Sequence, residues 1–394
     1  MSSNPQDSGS VRITAGAQKK RRRGWEIGLA AALAAAIIGT AAWAFGATGS
    51  SPSGAGQPAA ASGTPAAELR LGYFGNVTHA PALVGVQNGI LAGSLEEHGG
   101  TKLSTQVFNA GPAAIEALNA GAIDATYIGP NPAINSFVKS GGESVAVIAG
   151  ATSGGAQLVV RPEISSPGQL KDKVLATPQL GGTQDVALRA YLKSQGLAVN
   201  PDGGGDVTIN PTENAQTRKL FQDGKLDGAW LPEPWASRLI LQAGAKVLVD
   251  EKDLWDGSLA GKPGQFTTTV LIVSRKFAAE HPQTVDALLE GHVAAIDWLN
   301  SASAADKAAA INAGLKAAAG AELPGNVIDR ALQNIEFTPD PLAGTYPKLL
   351  QNGVDAGVTK PADLTGLFEL GQLNQVLAGV PGHTQVSAAG LGAD

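Results

Sequence analysis

The sequence predicts an α/β protein whose body is two similar lobes built on mixed, mostly parallel sheets. Three observations carry this expectation. The 394 residues exceed what one ordinary hydrophobic core holds. Beyond residue 68, strand-like and helix-like runs alternate across short turns drawn from 51 Gly and 23 Pro, the pattern of strand–helix–strand crossovers. Finally, LNAGAIDATYIGPNPA (118–133) overlays FQDGKLDGAWLPEPWA (221–236) at a constant offset of 103. Gly121 then meets Gly224, Asp124 meets Asp227, and Tyr127 meets Trp230.

The elements follow in order. Residues 1–18 are polar and KKRRR occupies 19–23. From Ile27 to Phe45 run 19 residues without a charge, enough to cross a bilayer as a helix. The basic flank places the N-terminal side in the cytoplasm. Ala42–Trp43–Ala44 also fits a signal-peptidase site. A retained anchor and a cleaved signal are both open, and either delivers residues after 50 to the outside. The Gly/Ser/Pro/Ala-rich stretch 48–67 is a flexible tether.

In the body, LRLGYF (69–74) reads as a strand and APALVGVQNGIL (80–91) as a helix with Pro in its first turn. KLSTQVF (102–108) and IDATYIG (123–129) are strands, separated by the helix PAAIEALNAG (112–121), which Gly stops. The helix NPAINSFVKSG (131–141) and the strands VAVIAGA (145–151) and AQLVVR (156–161) follow. The strands KVLATP (173–178), DVTINP (206–211) and DGAWLP (227–232) each lead into a helix, at 183–196, 213–224 and 235–244. After the strands AKVLVD (245–250) and TTTVLIVSR (267–275) the chain turns largely helical through the Ala-rich stretch to Gly320.

Charge and composition exclude several functions. The formal charge is −6, while residues 1–49 carry six cations against two carboxylates, so the body is acidic. That argues against nucleic-acid binding, which neutralises phosphates with Lys and Arg. The absence of Cys rules out disulfides, thiolate nucleophiles and a thioether-linked lipid anchor. No nucleophile elbow, Walker loop or dinucleotide fingerprint occurs, and the five histidines show no metal-ligand spacing. No cofactor, metal or catalytic residue is expected.

Binding signals are stronger. The strand-to-helix turns FGNVTHAP (74–81), NAGPAA (109–114), IGPNPA (128–133), GATSGG (150–155) and PQLGGTQD (178–185) are rich in Gly, Pro, Asn, Thr and Gln and contain no Lys or Arg. Free N–H groups at helix starts bind anions without formal cations, and neutral side chains add donors. Tyr73, Phe74, Trp230 and Trp235 are candidate apolar walls. Glu233, in the stiff turn LPEPW, is a candidate partner for a ligand amine, and Trp235 is expected to pack beneath that turn.

At LRLGYFGNVTHAP, FNAGPAAIEALNAGAIDATYIGPNPA, ATSGGAQLVVR, LATPQLGGTQDVALR and DGAWLPEPWASRL the chain resembles the nitrate/sulfonate/taurine family of ABC-transporter substrate-binding proteins, its aliphatic sulfonate members above all. The resemblance runs from about Glu68 to Leu377. It implies a type II Venus-flytrap fold with a doubled linker, a monomeric ectodomain, and delivery of a small solute to a membrane permease driven by a separate ATPase. Under it the segments become a basic leader (1–24), an anchor or signal (25–46), a tether (47–67), lobe I (68–154 and 266–377), lobe II (155–265) and a tail (378–394). The ligand-facing positions it implies are Asn76, Thr78, His79, Gly111, Pro112, Gly129, Pro130, Asn131, Thr152 and Ser153, with Gln179, Gly181, Thr183, Gln184, Glu213, Trp230 and Glu233 from the second lobe. Nitrate, bicarbonate and thiamine-precursor pyrimidines are neighbouring ligands within the family. A pyrimidine-precursor synthase and a non-transporting sensor ectodomain are the competing classes.

Overall fold

The computed structural model describes residues 63–394. The basic leader, the apolar segment and most of the tether lie outside the described residues. Among the described residues no helix is long and apolar enough to cross a membrane.

Two mixed sheets, each covered by helices, give the two-lobed fold. Strands β1 (Glu68–Phe74), β2 (Lys102–Phe108), β3 (Ala125–Ile128) and β4 (Val145–Gly154) open the first sheet. The chain then crosses over to build β5 (Ala156–Val160), β6 (Val174–Thr177), β7 (Thr208–Pro211), β8 (Gly228–Pro232) and β9 (Lys246–Asp250). It returns with β10 (Thr267–Ser274), β11 (Ile335–Phe337), β12 (Phe368–Glu369) and β13 (Gly392–Ala393). The first sheet has the order β13-β12-β4-β10-β3-β1-β2 with β11 on β4, and the second has the order β7-β6-β8-β5-β9. Strands joined by helical crossovers (β1, β2, β3 and β6, β7, β8) pair in parallel. Strands next to the crossings (β5, β10) enter reversed and pair antiparallel. The outgoing crossing is Gly154–Gly155, both at positive φ, a conformation that suits residues without Cβ. Close packing adds to this, since a Cβ on Gly154 would lie 2.5 Å from the Asn334 carbonyl oxygen.

The internal repeat has a structural cause. Asp124 accepts the Arg70 backbone N–H at 2.8 Å, and its own N–H bonds the Arg70 carbonyl. Asp227 repeats both contacts with Val174, the side-chain one at 2.9 Å. Each Asp therefore sets the register of a short buried strand on its parallel neighbour. The aromatic three residues later is core in both lobes. Tyr127 and Trp230 are fully buried. Tyr127 Oη meets His292 Nδ1 at 2.8 Å, and Trp230 Nε1 donates to Glu251 Oε2 at 2.8 Å.

Residues 378–394, read from sequence as a tail, fold back onto the first sheet. β13 pairs with β12, and Asn374 holds the Val386 backbone through two hydrogen bonds.

Candidate functional site

The carboxyl ends of β1, β2, β3, β6, β7 and β8 face one cleft, the usual place for a ligand in an α/β protein. A small polar cavity of about 30 Å³ lies there. The first lobe gives it Phe74, Asn76, Thr78, His79, Asn109, Gly111, Gly129, Thr268 and Thr269. The second gives Pro178, Gln179, Gly182, Thr183, Gln184, Asn214 and Pro232.

Four helices begin at this cavity: Gly111–Asn119, Pro130–Ser140, Thr183–Ser194 and Asn214–Gln222. None has a side-chain cap on its first amides. Their free N–H groups and aligned dipoles make the region electropositive without a formal cation. Pro130 and Pro132 remove two donors from the second helix, whereas the start at Thr183–Gln184 contains no proline and keeps its N–H groups. Asp185 in that first turn does not cancel the field. Fully buried, it is held by the Gly181 N–H, the Thr177 hydroxyl and Arg189 Nε, each at 3.0 Å.

Three buried oxygens on the cavity wall, Thr183 Oγ1, Asn214 Oδ1 and Thr269 Oγ1, have no hydrogen-bond partner among the described residues. Leaving such a group unmade costs about 1–3 kcal/mol, so a cluster of them marks a place built for a ligand. The hydroxyls donate by rotation, and the Asn214 amide can present either its N–H₂ or its carbonyl. His79 is the single ionisable side chain lining the cavity. Burial pushes its pKa down to about 3, so it is neutral. Its Nδ1 accepts the Phe74 N–H at 3.4 Å, which leaves the proton on Nε2. Phe74 stacks on the ring at 4.3 Å.

Other sequence-proposed positions lie elsewhere. Trp230, expected on the wall, packs in the core against Tyr191 at a ring distance of 5.7 Å. Glu233, expected to meet a ligand amine, is fully buried. Its Oε1 accepts from Arg330 Nη1 at 3.0 Å and Asn334 Nδ2 at 2.8 Å, and its Oε2 accepts the Ser237 N–H at 3.0 Å. Burial raises its pKa, opposed by the Ser237, Arg330 and Asn334 contacts. It braces one lobe against the other. Trp235 does not pack wholly beneath the turn. It is half-buried, and its Nε1 donates to Asn76 Oδ1 at 2.7 Å, across the cleft.

Thr152 Oγ1 donates to the Thr78 carbonyl, and Ser153 Oγ accepts the Phe266 N–H, so both serve the frame. Asn131 Nδ2 donates to the Leu349 carbonyl. Pro130 is the buried first residue of its helix, and Tyr73 is buried in the core. Pro112 and Gly181 line a separate surface cavity. Glu213 caps the mouth, accepting from Asn109 Nδ2 at 3.1 Å. Sequence reasoning missed Asn214, Thr268 and Thr269. The run TTT at the start of β10 was their available signal.

A model of the NMT1-like family matches residues 62–313. The chain belongs to the NMT1-like family. The taurine-binding periplasmic protein of Escherichia coli K12 is 27% identical over 195 residues, 49% of this chain and 56% of that protein. The match thus spans little more than half of that relative. The alkanesulfonate-binding protein of Xanthomonas axonopodis pv. citri, solved bound to MOPS, superposes with a TM-score of 0.61 at 22% identity, covering 76% of this chain and 96% of that one. The periplasmic aliphatic sulphonate binding protein of Escherichia coli gives a TM-score of 0.57 at 22% identity over 75% and 89%. These likenesses establish the two-lobed periplasmic-binding-protein fold for this member of the NMT1-like family.

Proposed function

We propose that this chain is the extracytoplasmic solute-binding component of an ABC importer and captures a small sulfonate, an alkanesulfonate or taurine. It delivers the solute to a permease driven by a separate ATPase. It works as a monomeric ectodomain, tethered or released according to the fate of residues 25–46. The observation that carries this reading is the polar cavity between the lobes, where uncapped helix starts meet three unpaired buried oxygens and a neutral histidine. A sulfonate stays ionised at all ordinary pH and offers three oxygens in a tripod, matching donors that arrive from both lobes. The ligands that the relatives bind, taurine and an alkanesulfonate, support the same ligand class.

Each hydrogen bond to a charged group contributes about 1.5–3 kcal/mol. Four or five, less the ordering cost, give roughly micromolar affinity. A ligand touching both lobes selects the shut state, which is the form a permease can distinguish.

Calorimetric titration of the full chain with ethanesulfonate, taurine, nitrate, bicarbonate and a hydroxymethylpyrimidine tests the proposal. Micromolar binding of the sulfonates alone is expected. Binding of another member of the panel in their place would discard the substrate and keep the role. Silence with all five would favour a sensor ectodomain.

A further inference from the structure

We infer that Arg218 and Arg238 form a docking site for an acidic segment of a protein partner, on the face shared by the helices Asn214–Gln222 and Trp235–Ala243. Arg218 Nη1 and Arg238 Nε both donate to Gln242 Oε1, at 3.2 and 3.4 Å. Two cations thus share one neutral acceptor, in the place a carboxylate would ordinarily fill. Neither arginine pairs with a carboxylate among the described residues. Asp223, on the first of these helices, is engaged by Lys219 at 2.9 Å.

The other described arginines are treated differently. Arg70, Arg189, Arg275 and Arg330 each pair with a carboxylate, from Asp124, Asp185, Glu369 and Glu233. Arg161 donates to the carbonyls of Leu226 and Phe221. In an acidic body, two adjacent cations without a counter-charge stand out. Burial, and then the charge of Arg218, lower the pKa of Arg238 from its ordinary value. A partner's carboxylate would relieve that repulsion.

The pair is held ready for such a contact. Trp235, Arg238 and Gln242 recur at helical spacing on one face, and the Arg238 guanidinium lies 4.4 Å from the centre of the Trp235 ring. Gln222 Nε2 donates to the Gln242 carbonyl at 3.2 Å and ties the two helices. Arg218 Nε and Nη2 and both Nη atoms of Arg238 make no hydrogen bond within the described residues, and none of the four is shut off from water. Leu241, three residues after Arg238, is 44% exposed. Charge complementarity therefore names the occupant: a chain bearing carboxylates beside an apolar residue. The site is separate from the solute cavity, which neither arginine lines.

The test uses the full chain and a hexaglutamate peptide carrying a photoreactive benzophenone, at low ionic strength, with crosslinks mapped by mass spectrometry. Crosslinks are expected on residues 214–222 and 235–243. Arg218→Gln should reduce their yield roughly fivefold, the upper end of what an exposed ion pair contributes. Combining it with Arg238→Gln should abolish them. Arg218→Gln leaves Arg238 on Trp235 and removes the repulsion, so the melting temperature should stay or rise. A fall of several degrees would make the pair structural and overturn the inference. Crosslinks confined to the basic leader, or a yield unchanged in the double variant, would also overturn it. Citrate should displace the peptide only at a higher carboxylate concentration than free hexaglutamate needs. Equal potency would assign the site to small anions and reject a protein partner.

Discussion

Replacing Thr183 by Val separates a ligand group from a structural one, because the two roles predict opposite signs. Thr183 is 5% exposed, and its hydroxyl lacks a partner among the described residues. In the ligand-free protein, Val keeps the shape and removes a buried polar group whose hydrogen bond is unmade. Stability should be unchanged or rise by about 1 kcal/mol. In the complex, the hydroxyl donates to an ionised oxygen, an interaction of about 1.5–3 kcal/mol. Its loss should weaken binding roughly 10- to 150-fold. Calorimetric titration with ethanesulfonate gives the first quantity, and a thermal melt of the free protein gives the second. A Kd within twofold of the parent, or a melting temperature lower by several degrees, would refute the reasoning.

Other predictions follow from the same geometry. A Cβ on Gly129 would lie 2.3 Å from Thr183 Oγ1, across the cleft, while its φ of −71° suits any residue. Gly129→Ala should therefore weaken binding at least about tenfold by obstructing closure, as calorimetric titration would show. Arg330→Met leaves the Glu233 carboxylate buried without its cation and should cost about 3–5 kcal/mol in urea unfolding. Adding Glu233→Gln should recover most of that loss. Burial raises the Glu251 carboxyl to about 7 from 4.5. The folded state thus holds a proton that the unfolded state releases between pH 4.5 and 7, and stability falls across that window as pH rises. Glu251→Gln should consequently raise the melting temperature at pH 8, by up to about 3 kcal/mol of stability, and leave it unchanged at pH 4. Because His79 titrates at about 3, sulfonate affinity should stay within about twofold from pH 5 to 9. Affinity that falls steeply above pH 6.5 would make a protonated histidine the binding group.

The parts legible from sequence were those set by local chemistry. Strand-to-helix turns rich in Gly, Pro and Asn lie at the carboxyl ends of parallel strands. Within those turns the family resemblance singled out Gly111, Gly129, Gln179, Thr183 and Gln184, and all five line the cavity. The 103-residue repeat is also legible, and it pairs Trp230 with a core aromatic. Trp230 repeats Tyr127, a strand aromatic facing the core. Period-two alternation in β8 turns Trp230 towards one core cluster while Ala229 and Leu231 face the other. Pro-flanked aromatics suggested a binding turn, and burial won. Glu233 could not be read locally, because its partners Arg330 and Asn334 lie 97 and 101 residues away. Asn214, Thr268 and Thr269 come to the cavity by the same long-range route. The return of the last residues to β12 likewise depends on a sheet edge that no local pattern announces.

The most direct test of the account is a crystal structure of the complex with ethanesulfonate. The account predicts sulfonate oxygens within hydrogen-bond distance of the Thr183 hydroxyl and the free amides that begin its helix, with Asn76 or His79 completing the shell from the other lobe. A sulfonate held by Arg or Lys outside this cavity, or one bound with Thr183 and Thr269 still unpaired, would contradict it.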